Sequence, residues 1–470
     1  MFTVEFKNSD QQPLYIQLYS AVKELILKGA LKEGEKLPSK RSLSAHLKIS
    51  VITVENAYGQ LLDEGYIRSK AGSGYYVEKL PRASRALPAH ASPKEELQAS
   101  APQKTPNYPY NFSTKGTDTR SFPFSVWRKL SRQVLSLPPE ELLAPCPSGG
   151  VMALRCAIAE YLEDFRALKV DPRQIIVGAG SEYLLGLIIQ LLGRSRTYGI
   201  EDPGYHKVSA IFKEHGAPCV AIPLDRQGAC PDSKNLPDVL HITPAHHFPT
   251  GICMPAGRRR EVLALMEESG GYIIEDDYDS EFRYKGQIIP TLAAGDRRGR
   301  VIYLSTFTKL LAPSMRISYM ILPPALLEEY NKRLSFYACT VPVFEQLTLA
   351  AFIKEGYFER HINRMKKLYK KRRDALISFI ERSPLSSFCK IEGAEAGLHL
   401  LLRVSNGMEE QELVTRAKAQ GVFLSALGDY RLHGTAPEKT HRPAVILGYT
   451  SIDEECIAQS IKKLEKAWIV

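Results

Sequence analysis

Between Leu80 and Pro109 the chain lacks what a packed core requires. The stretch LPRASRALPAHASPKEELQASAPQKTPNYP is rich in proline, alanine and serine, has almost no large apolar side chains and keeps no sustained period. A segment of that composition buries too little surface to offset the entropy of ordering it, so it reads as a semi-extended linker. It divides the 470 residues into a small N-terminal unit and a C-terminal unit of enzyme size. The expected boundaries are residues 1–79, a linker at 80–109, and residues 110–470.

The totals narrow the setting. A net charge of +10 permits a polyanionic partner without requiring one. Eight cysteines are scattered with no CxxC spacing, which argues against both a disulfide framework and a zinc site. The opening residues MFTVEFKNSD have no basic stretch leading into an apolar run. The nearest approach to a membrane span, Leu184 to Leu192, is far too short. A cytoplasmic protein with no membrane partner is expected.

In the N-terminal unit the spacing predicts three short helices and a hairpin. Pro13 suits a first helical position and Gly29 a stop, with Leu14, Leu18, Ala21, Val22 and Leu25 on one face. A second helix follows Pro38, with Ser39 as its cap and Leu43 and Leu47 four apart. Lys48-Ile49-Ser50 makes a tight connection. Ser50 caps a third helix whose expected buried stripe is Val51, Val54, Tyr58, Leu61 and Leu62, leaving Ile52, Thr53, Glu55 and Asn56 outside. Two strands, Tyr66-Ile67-Arg68 and Tyr75-Tyr76-Val77, flank the turn Ala71-Gly72-Ser73-Gly74. Two helices joined by three residues, the second opening on a polar face, have helix-turn-helix geometry. A glycine-containing wing flanked by Arg68 and Lys70 can approach phosphates closely. A small helical protein-interaction module would show much of the same pattern.

The C-terminal unit alternates apolar strand-like runs with amphipathic helices, an α/β pattern. IIVGAGSEYLLGLIIQLL reads as strand, glycine turn and helix, and such a helix start offers free N–H groups to a phosphate. In GGYIIEDDYDSEFRY an apolar strand, Tyr272 to Ile274, ends in Glu275-Asp276-Asp277, where α/β folds place ligands. A metal site or a solvated turn remain open for these acids. In VIYLSTFTKLLAPSMRISYMIL, Lys309 follows Ser305, Thr306 and Thr308 and precedes Arg316 by seven positions. That grouping suits a cofactor with an aldehyde at one end and a phosphate at the other. His241, His246 and His247 have no cysteine or acid at ligand spacing, so no metal is expected. The basic run Arg364 to Arg373 reads as a solvated helix face.

Two resemblances sharpen these readings. The segments G-x-x-LPS-x-R-x-L and GSGYYV, in order within Gln12 to Glu78, resemble the winged helix of GntR-type bacterial repressors. The resemblance implies that Arg41, Ser50, Thr53, Gly72 and Ser73 contact an operator in double-stranded DNA. Where many relatives carry Arg or Lys after the helix-opening serine, this chain has Val51. The segments GIEDPGYHKV, TPAHHFPTG, EDDYDSEF, STFTKLLAPSMRISYM and AGLHLLLRV resemble fold-type I aminotransferases. With the winged helix, the whole chain resembles the MocR-type subfamily of GntR regulators. The implied fold is an N-terminal winged helix-turn-helix plus an α/β aminotransferase-like domain with large and small parts. The implied cofactor is pyridoxal 5'-phosphate. By that resemblance Lys309 forms the Schiff base, Asp276 pairs with the pyridinium nitrogen and Tyr278 reaches the phenolic oxygen. Tyr205 stacks on the ring, and Gly180, Ser181, Thr306, Thr308 and Arg316 hold the phosphate.

Three positions depart from the aminotransferase pattern. The asparagine before PTG is Phe248, with His247 as a candidate substitute. Pro145, in LLAPCPSGG, replaces a tyrosine that reaches across the dimer. Ile446, in HRPAVILGYTS, replaces the arginine that clamps a substrate carboxylate, with Arg442 or Arg403 as candidate compensation. The expectation is a pyridoxal-phosphate-dependent transcriptional regulator, a head-to-tail homodimer that senses an amino acid, an amine or the vitamin itself. A working aminotransferase with an accessory DNA-binding module is the competing reading.

Overall fold

The structure, a computed structural model, describes residues 2, 4, 6, 12–80, 108–286, 289–432 and 442–469. The expected linker lies almost wholly outside the described residues. The chain forms two compact units, Met1–Pro106 and Asn107–Val470.

In the first unit, α1 (Leu14–Leu27), α2 (Lys40–Leu47) and α3 (Val51–Asp63) precede a hairpin of β1 (Ile67–Lys70) and β2 (Gly74–Val77). Its core takes Leu18, Val22 and Ile26 from α1, Leu43 from α2, and Val54, Ala57, Tyr58 and Leu61 from α3. Ile67 and Val77, directly paired across the hairpin, close it. Ser39 and Ser50 cap α2 and α3, accepting from the N–H groups of Ser42 (3.2 Å) and Thr53 (3.1 Å). The expected stripes need correction at their edges. Leu14, Val51 and Leu62 are exposed, at 43%, 41% and 38%. Leu14 and Val51 open their helices, and Leu62 lies about 100° round the helix from Leu61, so none faces the core.

In the second unit an eight-stranded sheet runs in the order β4-β11-β10-β9-β8-β5-β6-β7. The strands are β4 (Ile175–Gly178), β5 (Tyr198–Asp202), β6 (Cys219–Asp225), β7 (Gly228–Ala229), β8 (Val239–Ile242), β9 (Tyr272–Asp277), β10 (Val301–Thr306) and β11 (Ser318–Ile321). β10, β9, β8, β5 and β6 are mutually parallel, while β11 runs antiparallel to both β10 and β4. β10 shows why these strands are apolar throughout. Ile302 and Leu304 enter one core and Tyr303 the core on the opposite face. A smaller sheet, β12-β13-β16-β15, joins Cys389–Glu392, His399–Val404, Ala444–Gly448 and Ser425–Ala426. The short strands β3 (Tyr110–Asn111) and β14 (Val422–Phe423) pair beside it. This is the large-and-small α/β organisation of a fold-type I aminotransferase.

The basic run on the helix Tyr357–Arg382 is not wholly solvated. Arg372 and Arg373 are buried. Arg372 pairs with Asp118 at 2.5 Å, and Arg373 donates to the Ala394 carbonyl at 3.0 Å. Both fall on the inward side of the helix, next to Tyr369 and Leu376 of the core.

Candidate functional site

The first unit presents the candidate DNA-contacting residues around the opening of α3. Arg41 and Ser50 are exposed and Thr53 is half-buried. Ser50 is already engaged by its capping bond and by a 2.8 Å contact with the Thr53 hydroxyl. In the wing, Gly72 is exposed with φ +70°, a conformation that favours glycine, and the Ser73 hydroxyl bonds the Tyr76 hydroxyl at 2.6 Å.

In the second unit the carboxyl ends of β5, β8, β9 and β10 surround a cavity of about 170 Å³. Ser181, Tyr205, Asp276, Tyr278, Thr306, Thr308, Lys309 and Arg316 all line it. Gly180 stands at its edge with φ +100°, a conformation that favours glycine, and a Cβ there would lie 2.4 Å from the Arg316 guanidinium, which lies against the helix start. No side chain caps the helix Ser181–Leu192. A guanidinium against an uncapped helix N-terminus is a seat for a phosphate. The residues therefore fit a phosphate-bearing aldehyde. Lys309 lines the same cavity, its amine donating to the Thr114 carbonyl at 2.8 Å. Burial lowers its pKa below the usual lysine value, against the pull of Asp279 and with help from Lys115.

The run of acids on β9 separates by strand alternation. Asp276 lines the cavity, with its carboxylate 3.4 Å from His241 Nε2. Its neighbours face the other way. Glu275 accepts from the N–H groups of Leu292 (2.8 Å) and Ala293 (2.9 Å). Asp277 accepts from Arg166 (2.6 Å) and from the Tyr303 hydroxyl (2.7 Å). Two of the three acids are thus structural. The histidines are also committed: His246 to Asp279 at 2.9 Å and to the Tyr278 hydroxyl at 3.3 Å, His247 to Thr250 at 2.7 Å and Glu201 at 3.4 Å. Burial, with His246 and His241 nearby, lowers the His247 pKa to about 3. Among the described residues no group of three His, Cys, Asp or Glu is placed to hold a metal ion.

The departures acquire geometry. Phe248 lines the cavity and meets Tyr430 and Tyr205 edge-on at 4.9 and 5.8 Å. His247 does not line it, so it does not stand in for the missing asparagine. Ile446 is buried with Leu401, Leu427 and Tyr430, and Phe248 packs against this cluster. Arg403 is held by Glu392 at 2.6 Å, and Arg442 is exposed; neither lines the cavity. The compensating arginine expected from the sequence is therefore not at the cavity. Pro145 is exposed in the loop before Cys146.

Other lining residues were not singled out in the sequence, although His399 and Glu201 lie within recognised segments. Thr114, Lys115, His399 and Tyr430 arrive from distant segments. Glu201 does so from within GIEDPGYHKV; it accepts two bonds from Thr243 (2.9 and 2.8 Å), and burial raises its pKa to about 7. Glu182 bridges Arg316 and Lys207 at the cavity rim. An acid beside the GAGS turn was visible in the sequence, but its cationic partners were not.

A winged helix and an aminotransferase-like unit with a lysine-bearing pocket, on one chain, define a transcriptional regulator built on an enzyme fold. The comparisons agree. Residues 14–77 match the model for bacterial regulatory proteins of the gntR family, and residues 117–439 match aminotransferase class I and II. The chain is 40% identical to the uncharacterized HTH-type transcriptional regulator YdeL of Bacillus subtilis over 97% of both chains. It is 31% identical to the probable rhizopine catabolism regulatory protein MocR of Rhizobium meliloti, covering 97% of this chain and 94% of that one. The kynurenine aminotransferase of Pyrococcus horikoshii superposes with a TM-score of 0.67 at 26% identity, covering 77% of this chain and 91% of that one. The chain belongs to the MocR-type subfamily of gntR regulators. No helix among its described residues is long and apolar enough to cross a membrane.

Proposed function

We propose that this regulator binds pyridoxal 5'-phosphate in the cavity of its second unit and uses it to sense a small amine, an amino acid or the cofactor itself. The observation that carries this reading is the convergence of Lys309, Asp276, Tyr278 and Arg316, from two chain segments, on one cavity. Bound there, the cofactor supplies an aldehyde for amine capture and an electron-withdrawing ring. Lys309 offers the amine that holds it, and Asp276, backed by His241, keeps a proton at the ring nitrogen. Tyr278 addresses the phenolic oxygen, and Tyr205 covers the ring. Gly180, Ser181, Thr306, Thr308 and Arg316 hold the phosphate. Effector carboxylates meet neither Arg403 nor Arg442 in the cavity; there Phe248, packed against the buried cluster that holds Ile446, presents an apolar wall.

That wall separates a sensor from an enzyme. Fast proton removal needs the substrate held in one orientation, and a misplacement of about 1 Å costs roughly a hundredfold. We therefore expect amine capture without rapid transamination. Spectral titration with amino acids and amines, followed by a keto-acid assay, tests this. The retained Lys309, Asp276 and Tyr278 set favours the second reading, an active aminotransferase, which ordinary multiple-turnover rates would establish.

In the proposed organisation residues 1–79 bind the operator, 80–109 link, and 110–470 sense. Head-to-tail dimers in the cytoplasm would set the spacing of two DNA readers. Arg41, Ser50, Thr53, Gly72 and Ser73 form the proposed DNA contacts. Arg41→Ala is expected to weaken operator binding by about 1–3 kcal/mol, with cofactor binding unchanged. Fluorescence anisotropy on the full chain measures the first quantity and absorbance the second. Unchanged DNA affinity would remove Arg41 from the interface.

A further inference from the structure

We infer that Val51 and Ile52 form an apolar reader of thymine methyl groups in the major groove. The core positions of α3, from Val54 through Leu61, are fully covered within the unit. Val51 and Ile52 are not part of that core. They occupy the first two positions of the helix and are 41% and 68% exposed. Two adjacent β-branched residues at an exposed helix start gain nothing from helix propensity and cover no core.

The surroundings identify the occupant. Ser50 and Thr53 bond each other, and the Glu55 carboxylate is held by Lys40 at 2.5 Å. The opening of α3 therefore presents methyl groups between tied-up polar side chains. The same unit carries exposed cations on α2 (Arg41), in the turn before α3 (Lys48) and on the wing (Arg68, paired with Glu78 at 3.5 Å, and Lys70), complementary to a phosphate backbone. Helix-turn-helix docking brings the first turn of the second helix to the base edges. In the major groove the apolar feature of those edges is the 5-methyl group of thymine. Val51 and Ile52 thus specify thymine where a basic residue at position 51 would favour guanine.

The test uses the full-length protein and a random duplex library to select its bound sequence. Thymines in the selected site are then replaced one at a time by uracil, which removes only the methyl group. The expected result is a loss of about 4-fold in affinity at one or two positions per half-site, the value for burying one methyl group. In the Val51→Ala/Ile52→Ala protein the same replacements have no effect. Ile52→Ala alone retains part of the sensitivity. Both side chains lie outside the core, so the variants keep the fold. Selected sites without thymine, or equal uracil sensitivity in wild type and double variant, would overturn the inference.

Discussion

Replacing Lys309 with alanine is expected to abolish covalent capture of pyridoxal phosphate. The chain has many exposed lysines, yet Lys309 is set apart by its place in the cavity and by burial. Burial disfavours the charged amine, so its pKa in the folded protein lies below that of an ordinary lysine. The sign follows directly: as pH falls from alkaline values, surface lysines protonate first and Lys309 keeps its neutral, nucleophilic form longer. Capture at neutral pH should therefore select Lys309. Borohydride reduction followed by peptide mapping should place the label at Lys309 in wild type and nowhere in Lys309→Ala. Residual noncovalent binding through Arg316 and the helix start should survive, weaker. Equal labelling of surface lysines in both proteins would contradict this account of the pocket.

Arg166→Ala is expected to destabilise the second unit by about 3–5 kcal/mol. The Arg166–Asp277 pair is 2.6 Å long, with side chains 4% and 1% exposed. Asp277 also accepts from Tyr303, and it lies among further buried acids, Glu275 and Glu281. Removing the guanidinium leaves Asp277 buried with a single donor and like charges nearby. Replacing both partners with apolar residues, Arg166→Met with Asp277→Leu, should cost much less, because no charge is left stranded. Urea unfolding measures both, with a fall in midpoint at unchanged slope as the expected signature. A loss below about 1 kcal/mol in the single variant would show that water reaches Asp277.

These two cases also mark how far the sequence could be read. Lys309, Asp276 and Arg316 stood out because each lies in a dense local motif, and the structure brings them to one cavity. The two acids flanking Asp276 looked equivalent to it; only strand alternation and the distant partners Arg166, Leu292 and Ala293 distinguish them. The pairing of His241 with Asp276 could not be read from the sequence, since the two lie on neighbouring strands. Arg403 looked available as a clamp in the sequence, but Glu392, its diagonal neighbour on the adjacent strand of the small sheet, holds it. In α3 the period located Val54, Tyr58 and Leu61 in the core. It could not place Val51 and Leu62, because stripe edges depend on where neighbouring helices end. Local pattern records the segments, whereas pairings across the fold require the fold.

The central claim is that occupancy of the Lys309 cavity controls DNA binding without requiring turnover. The direct measurement is operator affinity of the full-length protein, by anisotropy, titrated with pyridoxal phosphate and then with a panel of amino acids and amines. Absorbance and keto-acid formation are followed in the same samples. The account predicts that at least one of these ligands shifts the spectrum and changes DNA affinity by about 5–150-fold, the usual range of allosteric coupling. It also predicts no sustained keto-acid production, and no response in Lys309→Ala. Sustained turnover at ordinary enzyme rates, with DNA affinity indifferent to every ligand, would contradict it.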